Sequence, residues 1–80
     1  MKINTYYNLK NLCGRRVREA RLKNNMSQQQ LAAKLQVEGV SIERDSLSRI
    51  ETGNRFVSDF ELKVLAKILK VSVDWLLDAE

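Results

Sequence analysis

Two short boxes of the form Ser-x-x-Gln and Ser-x-x-Glu constrain this chain most, because each marks a residue where a helix begins. The sequence SQQQ at residues 27–30 and the sequence SDFE at residues 58–61 both precede apolar residues at helical spacing. In such a capping box the serine side chain and the third helical residue satisfy each other's backbone N–H groups. The chain contains no proline that would break either helix. These signals predict short helices with defined starts, and no period-two pattern predicts a strand.

Apolar spacing and end signals extend this to an all-α, compact bundle of five short helices. The expected helices cover residues 8–24, 27–37, 44–52, 58–69 and 73–78. The inner stripe of the first helix is expected to consist of Leu9, Leu12, Cys13, Val17 and Ala20. Eighty residues make one domain. We therefore expect an N-terminal arm at residues 1–7 and one domain at residues 8–80.

Composition excludes several function classes. The chain has no histidine and one cysteine, so catalysis by a histidine base, a disulfide within the chain and a structural zinc site are not expected. We expect neither an enzyme nor a cofactor. No long apolar run or signal core is present, which predicts a reduced, cytoplasmic domain without a membrane span. The net charge of +4, with Arg15, Arg18 and Lys23 on the outer side of the first helix, makes a polyanion a plausible partner.

The fourth expected helix carries two apolar stripes rather than one. Leu62, Leu65, Ala66 and Leu69 form the first stripe, and a second at steps of four consists of Phe60, Val64 and Ile68. One interpretation is a central helix buried on two sides, which we favour. The other is that Phe60, Val64 and Ile68 contact a second copy of the chain.

The start of the second helix suggests an anion site. A helix N-terminus presents free backbone N–H groups and a partial positive charge, which together attract phosphate. Gln28 in the first turn could add an uncharged amide donor, whereas Gln30 is expected to close the capping box. A serine cap followed by polar residues is also the ordinary start of any helix, so SQQQ alone does not decide between the two.

Four segments taken together are more specific: GRRVREAR at residues 14–21, SQQQLAAKL at 27–35, LSRIETG at 47–53 and LAKILKVSVDWLL at 65–77. In this order they resemble the Cro/phage-repressor-like helix-turn-helix family, also called the XRE family. The resemblance covers residues 12–77. It implies a lambda-repressor-like fold with the helix-turn-helix formed by helices 2 and 3. It also implies sequence-specific binding of double-stranded DNA and control of transcription.

The resemblance also implies roles for individual residues. Helix 3 would be the recognition helix that enters the major groove. Its base contacts would come from Arg44, Asp45, Ser46, Ser48 and Arg49. Phosphate contacts would come from Ser27, Gln28, Asn54 and Arg55. Arg21 and Glu51 would form a partly buried salt bridge that fixes helix 3 against helix 1.

Other interpretations of these side chains remain open at this point. The two arginines of helix 3 could lie on a solvated surface, and Arg49 could pair with Asp45 at a spacing of four. Arg55 could be a plain surface charge. Arg15, Arg16 and Arg18 could add only positive field. Trp75 is expected in the core, and Cys13 is expected to be a small buried apolar residue.

The turn between helices 2 and 3 departs from the compact form of the family. Twelve positions separate Leu35 from Leu47, and the extra segment lies within QVEGVSIERD. Glu43 and Asp45 bring negative charge to the start of helix 3, where acids stabilise the helix dipole but repel phosphate. These departures bear on how helix 3 would dock.

Two functions follow from the sequence. The leading hypothesis is a DNA-binding transcriptional repressor that acts as a homodimer, regulated by its concentration, a protein partner or proteolysis. The alternative is the same fold used as a protein-interaction module, such as an antitoxin or the partner of an anti-repressor. In the alternative, Phe60, Val64 and Ile68 would be the hydrophobic contact.

Overall fold

A computed structural model describes residues 8–79, and the proposed N-terminal arm at residues 1–7 lies outside the described residues. The fold is all-α, as the helical periodicity predicts. Its five helices, in chain order, are α1 (Gly14–Lys23), α2 (Gln28–Val37), α3 (Arg44–Glu51), α4 (Asp59–Leu69) and α5 (Val73–Leu76).

The predicted start of α1 at residue 8 is wrong, because the helix begins six residues later at Gly14. Residues 8–13 are irregular and lie against the loop that follows α3. Asn8 has a positive φ of 64°, and the Lys10 N–H donates to the Gly53 carbonyl over 2.8 Å. Leu9 and Leu12 are therefore not part of the helix stripe and remain 38% and 49% exposed.

Asn11 explains why the chain turns into α1 only at Gly14. Its side-chain oxygen accepts a hydrogen bond from the Gly14 N–H over 2.8 Å, so it satisfies one free donor of the first turn. Its amide donates to the carbonyls of Ile50 over 3.1 Å and Arg55 over 2.7 Å. One side chain therefore joins the start of α1 to the end of α3.

Gly14 allows the start of α1 to approach the end of α3 closely. A Cβ atom at this position would overlap the carbonyl oxygen of Ile50. In most helices glycine costs about 1 kcal/mol relative to alanine, because it leaves more backbone freedom to lose. Here the missing side chain permits the contact between two helices.

The predicted helix starts of α2 and α4 are confirmed at atomic detail. Ser27 accepts from the Gln30 N–H over 3.0 Å, and the Gln30 side chain accepts from the Ser27 N–H over 2.8 Å. Ser58 and Glu61 form the same reciprocal pair at the start of α4. Ser72 caps α5 by accepting from the Trp75 N–H over 2.9 Å. Residues in the left-handed backbone conformation follow the helix ends, among them Asn25 with φ 56° and Gly39 with φ 85°.

The long turn between α2 and α3 is folded into the core. The Val40 N–H donates to the Leu35 carbonyl and the Gly39 N–H donates to the Gln36 carbonyl, which is the Schellman arrangement of a helix end. Beyond it the side chains of Val40 and Ile42 are 5% and 2% exposed, respectively. The extra residues of the turn therefore anchor α3 from its N-terminal side.

The core is contributed by all five helices and by this turn. Buried apolar residues are Cys13, Val17, Ala20, Leu31, Leu35, Val40, Ile42, Leu47, Ile50, Leu65, Ala66, Leu69 and Leu76. The second stripe of α4 is buried only in part: Val64 and Ile68 are half-buried and pack against the core, whereas Phe60 is 62% exposed. The expectation that α4 is buried on two sides is therefore wrong at Phe60, since no neighbouring element within residues 8–79 covers the first turn of that stripe.

Arg16 connects α1 to the C-terminal helix rather than only adding positive field. Its guanidinium carbon lies 4.4 Å from the centroid of the Trp75 ring, within the range of a cation–π contact. The same side chain donates to the Trp75 carbonyl over 3.2 Å and to Asp78 Oδ1 over 2.6 Å. Trp75 is half-buried beneath it, and α5 is held onto the bundle.

Candidate nucleic-acid interface

Helix α3 has a buried face and an outward face that are chemically distinct. Leu47 and Ile50 are fully buried, as predicted, and they fix the rotation of the helix about its axis. The outward side presents Arg44, Asp45 and Arg49, all exposed. Ser46 and Ser48 are half-buried at the edges of this face. These are the five predicted base-contact residues, and the fold brings them onto one short helix.

An ion pair between α1 and α3 holds the C-terminal end of α3. Arg21 donates from Nε to Glu51 Oε2 over 2.7 Å and from Nη2 to Glu51 Oε1 over 3.0 Å. This two-point geometry is the pair that the family resemblance implies. Both residues are less than 10% exposed, which makes the pair costly to break, since one buried charge would lose its partner.

The surroundings of Arg21 stabilise its charged form. Hydrogen bonding to Glu51 raises the pKa of Arg21, the negative charge of Glu51 adds to this, and burial opposes it. A third hydrogen bond runs from Arg21 Nη1 to the carbonyl of Met26 over 2.9 Å, just before α2. The guanidinium therefore fixes the approach to α2 as well as the end of α3.

Gln28 extends this network into the first turn of α2. Its Nε2 donates to Glu51 Oε1 over 3.0 Å, so the carboxylate receives hydrogen bonds from both α1 and α2. An amide NH₂ group carries two donors, and the second N–H is not used by Glu51. Sequence reasoning missed this internal contact, because it depends on how close two residues lie that are 23 positions apart in the chain and on different helices.

The arginines of α3 differ in what they contact. Arg44 Nη2 lies 3.7 Å from Asp45 Oδ1, and both side chains are mostly exposed, so this pair adds little stability. Asp45 therefore pairs with Arg44 and not, as the spacing of four allowed, with Arg49. Among residues 8–79, no hydrogen bond or ion pair involves the Arg49 side chain. Arg49 thus presents a full guanidinium to whatever faces α3.

The predicted phosphate-contact residues lie near the C-terminal end of α3 and have internal partners. Ser27 accepts its capping bond, and Asn54 Nδ2 donates to Thr52 Oγ1 over 3.3 Å. Arg55 donates to Glu61 Oε1 over 3.1 Å, to Glu61 Oε2 over 3.2 Å and to the Phe56 carbonyl over 2.9 Å. These bonds leave the Ser27 O–H and the remaining guanidinium N–H groups of Arg55 available as donors. Their roles as phosphate contacts stay predictions.

Glu61 orients Arg55 while serving as part of the α4 capping box. Burial alone would raise the pKa of Glu61, but hydrogen bonds from Arg55 and Ser58 and the charge of Arg55 lower it overall. The carboxylate is therefore held in its charged form. The Arg55 side chain is only 28% exposed, so it is a positioned group rather than a free surface charge.

Other chemistry has little support in the described part of the chain. Residues 8–79 contain no group of three or more His, Cys, Asp or Glu residues that could hold a metal ion. Cys13 is buried, and burial raises the pKa of its thiol to about 11, while a backbone hydrogen bond opposes the rise. No helix within residues 8–79 is long and apolar enough to cross a membrane.

A helix, a turn and a second helix with an outward polar face are the elements of a helix-turn-helix domain. A family model described as "Helix-turn-helix" matches residues 17–76, which is most of the chain. The chain belongs to the XRE/Cro-like helix-turn-helix family. Domains of this family are DNA-binding regulatory domains and are typically not enzymes. No curated protein matches the sequence.

Proposed function

We propose that this protein binds specific sites in double-stranded DNA, represses transcription there and acts as a homodimer on two-fold symmetric sites. The observation that carries the proposal is the outward face of α3, where Arg49 has no internal partner among the described residues. A regulator of this kind would work in the cytoplasm.

The chemistry of α3 suits the major groove. A guanidinium can donate two hydrogen bonds to the O6 and N7 atoms of guanine, and Arg49 is the side chain best placed for this. Arg44 could do the same if its guanidinium left Asp45 and bonded to a DNA base instead. Asp45 could accept from a cytosine amino group, and Ser46 and Ser48 could bond to either base of a pair.

The residues around α3 would set the register on the DNA backbone. Ser27 and Gln28 lie at the N-terminus of α2, where the helix dipole favours phosphate. Asn54 and Arg55 lie in the loop after α3. Phosphate contacts of this type position a protein on DNA without reading the sequence. Arg15 and Arg18 on the exposed side of α1 add positive field.

The experiment that tests this function begins with selection of duplexes from a random DNA pool at near-physiological salt. We expect an enriched palindrome, with the spacing of its half-sites set by the dimer. No enrichment would contradict sequence-specific binding.

Arg49→Ala tests the assignment of α3. On the selected site we expect a loss of about 1–3 kcal/mol of binding free energy and a relaxed preference at particular base pairs. The matched control is Arg15→Ala, which removes an exposed arginine of α1 and should leave the base preference unchanged. If Arg49→Ala kept both affinity and preference, α3 would not be the reading element.

A second candidate function is favoured by the exposed stripe on α4. Phe60 is 62% exposed, and Val64 and Ile68 continue its line as half-buried side chains. The same fold could use this stripe to bind another protein, as an antitoxin or the partner of an anti-repressor does. A tight protein complex together with weak, unspecific DNA binding would favour this function over the first.

A further inference from the structure

A groove of about 580 Å³ lies between the end of α1 and the turn that joins α4 to α5, and we call it the rear groove. Its accessible apolar surface comes from the half-buried Val71 and Trp75, with Ala20 and Leu69 buried beneath, and its two cations are Lys23 and Lys70. The lining contains no acidic residue and no residue of α2 or α3. A ligand in the rear groove would therefore leave the outward face of α3 open.

The rear groove is held in shape by side-chain contacts. Asn24 Nδ2 donates to the carbonyls of Ala20 over 2.8 Å and Leu69 over 3.1 Å, which ties α1 to the end of α4. Arg16 holds the Trp75 ring through the cation–π contact and a hydrogen bond to its carbonyl. Because the apolar surface is already ordered, a ligand would bind without the entropic cost of ordering it.

The two lysines of the rear groove are among the bases that have no acidic partner within residues 8–79. Arg16, Arg21, Arg55 and Lys67 all form ion pairs with acids of the chain. Within residues 8–79, no ion pair or hydrogen bond involves the side chain of Lys23 or of Lys70, and both residues are exposed. Their charges are therefore available to a partner.

Lys70 also has an unfavourable backbone. It ends α4 with φ 62° and ψ 41°, the left-handed region in which glycine or asparagine is the usual residue. Glycine would make this turn at lower conformational cost. A lysine at a left-handed position, beside an apolar groove, points to a use for its side chain.

We propose that the rear groove binds an acidic protein segment in which carboxylates flank a bulky apolar side chain. The apolar side chain would pack against Val71 and Trp75, and the carboxylates would pair with Lys23 and Lys70. Charge complementarity selects this occupant, because the rim carries only cations and the floor is apolar. The rear groove would give the protein a second partner that binds at the same time as DNA, independently of what α3 reads.

The test uses the full chain and three synthetic hexapeptides. The probe is Asp-Glu-Leu-Leu-Asp-Glu, and the controls replace its acids with lysine or its leucines with serine. Trp75 is the only tryptophan, so its fluorescence reports on the rear groove directly. We expect only the probe to change this fluorescence and to shift backbone amide resonances at the end of α1 and around Lys70.

Lysine variants separate the rear groove from general charge. Lys23→Glu and Lys70→Glu should each weaken probe binding by about fivefold or more, as expected for reversing a rim charge. The matched control is Lys63→Glu on the exposed side of α4, which should bind as the unchanged protein does. Lys70→Gly provides a variant that folds: it should raise the melting temperature and still weaken the probe.

Four results would overturn the proposal. The first is an equal response to the lysine or serine peptides, and the second is a set of shifts that lies away from the rear groove. The third is a dimer in sedimentation that dissociates in Lys70→Glu, because a second copy would then cover the rear groove. The fourth is a loss of DNA affinity in Lys23→Glu and Lys70→Glu as large as that of Arg49→Ala, because the lysines would then serve phosphates.

Discussion

Gln28 has one amide N–H bonded to Glu51 and a second that this carboxylate does not use. The residue thus combines an internal contact with a position at the N-terminus of α2. An amide fits this site better than a carboxylate would, because a negative charge would repel both Glu51 and an approaching phosphate.

We predict that Gln28→Ala weakens binding to all duplexes alike. In the proposed complex with DNA the variant would lack a donor to a phosphate, which carries no sequence information, so the ratio of affinities for the selected site and a scrambled duplex should stay constant. It should also lower the free energy of unfolding by about 1 kcal/mol, since Glu51 loses one hydrogen bond. Binding titrations and urea unfolding measure the two effects.

The control for Gln28→Ala is Gln29→Ala, an exposed neighbour in the same helical turn without a side-chain bond to Glu51. It should change neither the unfolding free energy nor the ratio of affinities. A change in that ratio for Gln28→Ala would show that the amide contacts a base.

Cys13 gives a prediction for alkaline pH. Burial raises the pKa of its thiol to about 11 from the ordinary value of 9.0, so the folded state keeps the proton that the unfolded chain loses. This contribution to stability is fully present below pH 9.0 and is lost as the pH rises towards 11. The free energy of unfolding should therefore fall more steeply across this range than it does for Cys13→Ala.

Urea unfolding followed by Trp75 fluorescence at several pH values makes this comparison, with Cys13→Ala as the control that retains every other titrating group. The folded thiol should also react more slowly with a thiol reagent than the unfolded thiol does. Parallel pH profiles for the two proteins would mean that the thiol is not buried as described.

At the scale of elements, we predict that Gly14→Ala lowers the free energy of unfolding, although the same substitution in most helices raises it. Alanine normally stabilises a helix relative to glycine by about 1 kcal/mol. At Gly14 the added Cβ would overlap the Ile50 carbonyl, so α1 must move away from α3 and the Asn11 bonds must lengthen. We expect a loss of about 2 kcal/mol or more of unfolding free energy, in the range of overpacked cores.

Gly39→Ala is the comparison for Gly14→Ala. Gly39 has φ 85°, but no neighbouring atom lies within 4 Å of the position that an added methyl group would occupy, so only backbone strain should count. Its cost should be about 1–2 kcal/mol and should leave DNA affinity unchanged. If Gly14→Ala stabilised the protein instead, the close contact between α1 and α3 would be refuted.

The bounds and inward faces of the helices were predictable where residues close together in the sequence determine them. Both capping boxes, the inward Leu47 and Ile50 and the end of α4 at residue 69 follow from spacing and end signals in the sequence. The start of α1 was not predictable in this way. Residues 8–13 have a helical apolar pattern, but Asn11 and Lys10 bond to the loop after α3, and these contacts span about forty residues of chain.

In the candidate site, too, some features were predictable from the sequence and others depend on the packing of the helices. The motif places the outward residues of α3 and the pair of Arg21 with Glu51 without knowledge of the fold. The bonds of Gln28 to Glu51 and of Arg55 to Glu61 depend on how the helices pack, and no periodicity in the sequence encodes that distance. Val40 and Ile42 were missed because they are two alternating apolar residues within a turn, too few to form a recognisable pattern.

At the scale of the whole molecule, the proposed homodimer can be tested at the α4 stripe. Phe60→Glu changes a side chain that is 62% exposed, so it should leave the fold intact. If Phe60, Val64 and Ile68 form the dimer contact, the variant should sediment as a monomer at concentrations where the unchanged protein is dimeric. It should also bind a full palindrome much more weakly. Two separate monomers bind the two half-sites independently, whereas a dimer that is bound to one half-site holds its second subunit close to the other.

Leu22→Glu is the control for Phe60→Glu, since Leu22 is an exposed apolar residue of α1 and is not part of the stripe. It should keep both the dimer and the affinity for the palindrome. Sedimentation and binding titrations on full and half sites supply the measurement. A dimer that survives Phe60→Glu would place the contact elsewhere on the molecule.

Helix α3 is held on its inward side by Leu47 and Ile50, at its C-terminal end by Glu51 and at its N-terminal end by the buried turn that precedes it. The outward side chains of Arg44, Asp45 and Arg49 contribute almost nothing to the contacts that hold α3 in the fold. The residues that stabilise the fold are thus different from those that would contact DNA bases. A library that randomises the three outward positions should yield mostly folded proteins, and new target preferences could then arise by drift or by design without passing through an unstable intermediate.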